Sequence, residues 1–165
     1  METATLMFLG FIILQRLSEL VIAKRNTAKL LAKGAYEVGA SHYPLMVSMH
    51  TAWIACLIIF GYGASIAFGW LVVFAGLQVL RIWILWSLGS RWTTRVIILE
   101  EPLVKRGPFR FFDHPNYMLV VAEIIVAPLV LGLGWVALLF TVLNAGMLWI
   151  RIGVEHKALA HLRTG

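Results

Sequence analysis

The chain has 165 residues, of which 61% are hydrophobic and only 13% charged, and its mean hydropathy is +0.86. A soluble domain carries about 25% charged and about 45–50% apolar residues, so the composition excludes a soluble globule, a disordered chain and a collagen-like fibre. The one cysteine, Cys56, lies in an apolar run and rules out a disulfide framework. The net charge of +6 reads as membrane orientation rather than as a nucleic-acid footprint, because the basic residues cluster at the ends of apolar runs. The expected class is an all-α integral membrane protein, a single domain over residues 1–165.

A helical span takes about 20 apolar residues, and five segments approach that length: 5–23, 44–60, 66–88, 116–131 and 135–151. The first carries Arg16 and Glu19. Acidic Glu2 follows Met1, with no basic leader and no small-residue cleavage site, so this segment is expected to remain as an anchor. From Val38 to Leu80 there is no Asp, Glu, Lys or Arg, and Gly61-Tyr62-Gly63-Ala64-Ser65 is the natural break in that run. From His114 to Ile150 the only charge is Glu123, and Gly132-Leu133-Gly134 divides this region into two spans close to the minimum length.

Lys24, Arg25, Lys29 and Lys33 fall in the first connection, Arg91, Arg95, Lys105, Arg106 and Arg110 in the third, and Arg151, Lys157 and Arg163 at the C-terminal end. The second and fourth connections have no Lys or Arg. This alternation predicts an N-terminus outside and a C-terminus in the cytoplasm. Within the long 89–116 connection, Arg95–Leu99 reads as a short strand, Glu100-Glu101-Pro102 as a turn, and Leu103-Val104-Lys105 as its return, with Gly107-Pro108 a further turn.

Ionisable groups inside spans are costly and point to function. At about 1.5 Å per residue, Arg16, His50, Arg81, Glu123 and Asn144 all lie about 9–12 Å in from the cytoplasmic end of their spans. Gln15 and Gln78 are slightly deeper and Glu19 shallower, while the outer half is nearly pure hydrocarbon. The pattern predicts a polar cavity open to the cytoplasm and closed on the other side. Local pairing competes with that reading, since Arg16/Glu19 and Gln78/Arg81 share a helix face at i,i+3.

The densest chemistry runs from Leu103 to Tyr117. Pro115 suits the first position of a helix, whose free N–H groups favour an anionic group. Arg151 and Glu155, at i,i+4, share a face at the end of the last span, where the plain alternative is a surface ion pair. No metal site is expected: His156 and His161 are five apart, which is neither a zinc pair nor a finger spacing.

Gly107-Pro108-Phe109-Arg110, His114-Pro115-Asn116-Tyr117, two apolar segments and then Arg151-x-x-x-Glu155-x-x-x-Leu159 resemble the isoprenylcysteine carboxyl methyltransferase and phospholipid methyltransferase superfamily. Arg25-Asn26, Lys33-Gly34-Ala35, Glu37, Gly39, His42-Tyr43-Pro44-Leu45 and Met49-His50-Thr51 resemble its small bacterial branch, which includes alkylpyrone O-methyltransferases. The resemblance implies S-adenosylmethionine as cofactor and a multi-pass protein of the bacterial cell membrane, its site facing the cytoplasm. It implies cofactor contacts from Leu103, Val104, Gly107, Phe109, His114, Pro115, Asn116, Tyr117 and Glu155, and a substrate-side role for Arg151. Two positions depart from the superfamily pattern: Asp113 stands where an Arg is usual, and His156 where a second acid is usual. Both point away from prenylcysteine as acceptor more than from the cofactor.

A lipophilic acceptor is then expected to enter from the bilayer, with its reacting oxygen near Arg81, Glu123, Asn144 and Arg151. An anionic acceptor needs a cation, for which Arg81, Arg151 and His50 are the candidates; a phenol needs a base such as His50 or Glu123. The expected partners are this small molecule and membrane lipids, not nucleic acid, with a homo-oligomer left open. The alternatives are carboxyl methylation of prenylated cysteine, N-methylation of phospholipid headgroups, and a small transporter or binding protein with a cytoplasm-facing cavity.

Overall fold

A computed structural model describes residues 2–102 and 104–163, and its frame is five helices: α1 (Glu2–Ala32), α2 (Tyr43–Gly61), α3 (Phe68–Leu88), α4 (Pro115–Val130) and α5 (Gly134–Arg163). Four of them are long and apolar enough to cross a membrane, and α4 is a shorter apolar helix. The chain is an all-α integral membrane protein whose five helices fall where the apolar runs predict.

Two helices extend well past their apolar runs. At 1.5 Å per residue the 31-residue α1 is about 46 Å long, against a hydrocarbon core of about 30 Å. Its last turns continue because Ala23, Asn26 and Leu30 recur at helical spacing and are buried. Asn26 Nδ2 donates to the carbonyls of Trp92 (2.9 Å) and Gly89 (3.2 Å), which docks α1 on the 89–114 connection. The helix ends where Gly34 turns left-handed (φ 89°) and Ala35 N–H reaches back to the Leu30 carbonyl, a Schellman-type stop. α5 likewise runs twelve residues beyond Arg151.

The sixteen-residue α4 can be short because it is enclosed by protein. Leu119, Glu123, Ile124, Val126, Ala127, Pro128 and Val130 are all buried, and α4 packs between α3 and α5. Phe8, Leu9 and Ile12 of α1, Trp53 and Leu57 of α2, Phe74 of α3, and Val136 and Phe140 of α5 close the apolar core around it. Outward-facing Met7, Leu14, Trp86 and Trp149 remain exposed, as a lipid-facing surface requires.

One end of the bundle is tied by the short connections. Thr5 Oγ1 donates to the Ala64 carbonyl (2.6 Å) and Ala67 N–H to the Val130 carbonyl (2.8 Å). The other end carries the basic connections and a two-stranded antiparallel ribbon of β1 (Tyr36–Val38) and β2 (Val96–Ile98). The strand expected at 95–99 is present. Its partner is β1, in the register Tyr36↔Ile98 and Val38↔Val96, rather than the 103–105 return. Leu103 lies outside the described residues, and Val104-Lys105 is not in a strand. Arg95 locks the ribbon by donating to both Glu37 carboxylate oxygens (2.7 and 2.8 Å) and stacking over the Tyr43 ring.

Midway along the bundle, the buried charges of three helices pair with each other. Glu123 of α4, 1% exposed, accepts from Arg81 Nε (2.8 Å) and Nη2, from Arg16 Nη2 (2.7 Å) and from Gln78 Nε2 (3.1 Å). Glu19 takes the opposite sides of both arginines, at 2.9 Å from Arg16 and 2.6 Å from Arg81, and accepts from Gln15. Two cations and two anions give a neutral cluster. Removing one partner of a buried pair costs about 3–5 kcal/mol, because the remaining charge is left uncompensated. Glu123→Ala is therefore expected to lower the melting temperature sharply, and Arg81→Met combined with Glu123→Met, which removes one charge of each sign, to recover most of the loss. Thermal unfolding in detergent checks both; a Glu123→Ala variant as stable as wild type would contradict the pairing.

Candidate functional site

Beyond this cluster, at the basic end, the 89–114 connection folds over the start of α4 and the last turns of α5. Gly107 makes the fold-over feasible. It has a φ of 58°, and a Cβ there would lie 2.1 Å from Ser87 Oγ, so the connection can press directly against α3. Arg106 Nε fastens the same point by donating to the Ser87 carbonyl (2.7 Å).

Under the connection lies a cavity of about 1230 Å³. Arg151, Glu155, His114, Asn116 and Tyr117 line the α4–α5 side. Trp92, Arg95, Val104, Phe109 and Asp113 line the side of the connection. Pro115 opens α4 as its first residue, and His114 precedes it with non-helical backbone.

The Tyr117 hydroxyl is the centre of the arrangement. Arg151 Nε donates to it at 2.9 Å, and the hydroxyl donates its single proton to Glu155 Oε2. Arg151 and Glu155 thus meet through the tyrosine of a different helix and not as a surface pair on their own. Arg151 is 7% exposed, and its Nη1 donates to the Thr94 carbonyl and to Met46 Sδ, both at 2.8 Å. The His114 ring stacks on Tyr117 with 5.2 Å between centroids. Its Nδ1 lies 3.8 Å from Glu155 Oε1, and its Nε2 lies 3.4 Å from His156 Nε2. One carboxylate oxygen of Glu155 is therefore committed to Tyr117, and the other stands beside His114.

Of the residues expected around a cofactor, Val104, Phe109, His114, Asn116, Tyr117 and Glu155 come together on this cavity, with Arg151 beside them. Leu103 lies outside the described residues. Gly107 and Pro115 act through the backbone, at the fold-over and at the helix start. Arg81 and Glu123 are instead consumed in the buried charge cluster. His50 sits on α2 with Nδ1 2.9 Å from the Met46 carbonyl, and Asn144 is buried on α5. None of these four lines the cavity. The residues the sequence did not mark are Met46, Thr94 and Trp92, whose Nε1 donates to Asn116 Oδ1 (3.4 Å). Only the folded chain brings them to Arg151 and Asn116.

The lining suits a ligand with both apolar and ionic parts. Glu155 and Asp113 can accept from an ammonium or from hydroxyls, Arg95 can take a carboxylate, and Phe109 offers a ring face to a base. A site of this size with a few convergent polar groups has the form of a small-molecule pocket.

Residues 66–161 match the isoprenylcysteine carboxyl methyltransferase (ICMT) family. That span holds α3, the connection, α4 and the site residues of α5. The chain is 35% identical over 159 residues to the uncharacterized protein YpbQ of Bacillus subtilis (strain 168), covering 93% of this chain and 95% of that one. It is 28% identical over 155 residues to an uncharacterized protein of Haemophilus influenzae, covering 89% and 90%. No solved structure matches.

Proposed function

The chain belongs to the isoprenylcysteine carboxyl methyltransferase family, and from that premise we propose that it binds S-adenosylmethionine in the cavity beneath the 89–114 connection and methylates an oxygen of a hydrophobic acceptor drawn from the bilayer. Family membership supports a membrane methyltransferase. The Arg151–Tyr117–Glu155 bridge supports the assignment of the site, because it brings a buried cation and a carboxylate of α5 together on the wall of a cavity of about 1230 Å³.

In this reading Glu155, with Asp113, receives the ammonium or ribose hydroxyls of the cofactor, and Arg95 the carboxylate. Phe109 flanks the adenine. When bound, S-adenosylmethionine supplies an electrophilic methyl group on a sulfonium. The protein's contribution is alignment and exclusion of water, which suffice for much of the acceleration of an in-line displacement. Arg151, held by three acceptors, is the buried cation of the cavity wall and would orient the acceptor oxygen. The positive-inside pattern puts this end in the cytoplasm, which reporter fusions at residues 63 and 100 would report as opposite sides.

For the acceptor we assign an alkylpyrone or similar polyketide lipid, on the resemblance of the first-half motifs. Those motif residues support the reading by their position. Glu37 pairs with Arg95, Tyr43 Oη lies 3.2 Å from Thr94 Oγ1, and a Cβ on Gly39 would lie 2.8 Å from Val154. They do not line the cavity themselves but pack behind it, against Arg95, Thr94 and Val154.

The test is calorimetric binding of S-adenosylhomocysteine to the purified protein in detergent. Wild type is expected to bind, and Glu155→Gln, which keeps the shape and removes the charge, to bind about 10- to 150-fold more weakly. That range corresponds to the loss of one charged hydrogen bond, about 1.5–3 kcal/mol. An absence of heat from well-folded wild type at near-millimolar ligand would overturn the methyltransferase reading, and an unchanged Glu155→Gln affinity would remove Glu155 from the site.

A further inference from the structure

A smaller cavity of about 430 Å³ lies at the end of α3, beside the larger one. Arg91, Val104 and Lys105 line both cavities, while Gly89, Ser90 and Arg106 line only the smaller. Its lining holds three cations and no carboxylate. Arg91 is already engaged, with the Glu101 carboxylate and with the Pro102 carbonyl (2.6 Å). Arg106 uses only Nε, which caps the last turn of α3 by donating to the Ser87 carbonyl. Its Nη2 reaches over Gly89, 4.0 Å from where a Cβ would stand. Lys105 is exposed, and among the described residues neither it nor the Nη groups of Arg106 meet a carboxylate.

The depth of this cavity in the bilayer follows from α3. The apolar segment that ends in it runs 24 residues from Phe68 to Arg91, about 36 Å against a hydrocarbon core of about 30 Å. Its last turn therefore stands at the level of lipid headgroups. Val79, Ile82, Trp83 and Trp86 are all exposed, Trp86 at 81%. They recur at i, i+3, i+4 and i+7 and so form one outward apolar stripe on α3. Ser90 of the cavity follows four residues after Trp86. The stripe also adjoins the cations, since a Cβ on Gly107, next to Arg106, would lie 3.1 Å from Trp83 Nε1.

We propose that the cavity and the stripe together bind one anionic phospholipid, its phosphodiester among Arg91, Lys105 and Arg106 and an acyl chain along α3. The free Nη groups of Arg106 and the ammonium of Lys105 suit phosphate oxygens, and basic pockets at this level of a helix bundle take anionic headgroups. A zwitterionic lipid brings an ammonium into a cavity that has no carboxylate to receive it. A free phosphate leaves the apolar stripe uncovered. Because Arg91, Val104 and Lys105 line both cavities, the bound lipid stands against the wall of the larger one. The inference does not depend on the methyltransferase reading.

The experiment is native mass spectrometry of the full chain, without cofactor, released from detergent after titration with dioleoyl phosphatidylglycerol or dioleoyl phosphatidylcholine. Wild type is expected to retain one phosphatidylglycerol at concentrations where it retains no phosphatidylcholine. Lys105→Gln, at an exposed position with no ion pair to lose, should weaken that binding about 5-fold, the effect of one cation near a membrane surface. Lys33→Gln and Lys157→Gln remove exposed cations of the same end that line neither cavity, and should leave the binding unchanged. Glycerophosphoglycerol, the same headgroup without chains, should not displace the lipid. Melting temperature is the folding control. Equal retention of the two lipids overturns the site, as does a well-folded Lys105→Gln that binds phosphatidylglycerol like wild type. Equal losses from all three lysine variants overturn it in favour of general attraction to a basic surface. Displacement by the chain-free headgroup at matching concentration overturns it in favour of a phosphate site that holds no lipid.

Discussion

Everything at the basic end of this bundle depends on Glu123 accepting from two arginines and a glutamine in the middle of it. α4 is only sixteen residues long and cannot be positioned by the bilayer as a full-length span is. The charge cluster fixes its depth and rotation against α1 and α3, and that sets where Tyr117 lies, six residues earlier on the same helix. In hydrocarbon the alternative to pairing is an isolated charge, so the cluster tolerates few other registers.

The polar residues of the bundle fall into two layers with different work. The inner layer, Arg16, Glu19, Arg81 and Glu123, is neutral, and its carboxylates are committed to arginines. The outer layer, Arg151, Tyr117, Glu155 and His114, lines a cavity and keeps one carboxylate oxygen beside the His114 imidazole. A cofactor site needs the second condition, and a helix bundle with charges inside it needs the first. Arg16 takes part in the inner layer through Nη1 and Nη2, with its guanidinium over the Trp53 ring.

The spans were legible because each apolar run is long and bounded by glycines or charges, as at Gly61-Tyr62-Gly63 and Gly132-Leu133-Gly134. The extensions of α1 and α5 were less so, since Lys24, Arg25 and Lys29 mask a helical repeat whose only trace is Ala23, Asn26 and Leu30. The pairing of β2 with β1 was not legible: three residues pair with three others about sixty positions away, and a local return looked equally good. The common depth of Arg16, Arg81 and Glu123 could be counted along the spans, but which of them would pair depends on helix rotation, which the count does not contain. Likewise, the motifs marked Tyr117, Arg151 and Glu155 as a group. That a hydroxyl stands between the two charges follows only from the packing of α4 against α5.

The proposed cofactor site is the space between the 89–114 connection and the ends of α4 and α5. Hydrogen exchange of the detergent-solubilised protein, read by mass spectrometry with and without S-adenosylhomocysteine, tests it directly. A cofactor bound there slows exchange only in residues 92–117 and 151–158, with the 61–67 turn at the opposite end unchanged. Exchange in 92–117 that does not respond, or protection that appears at 61–67 instead, would contradict it.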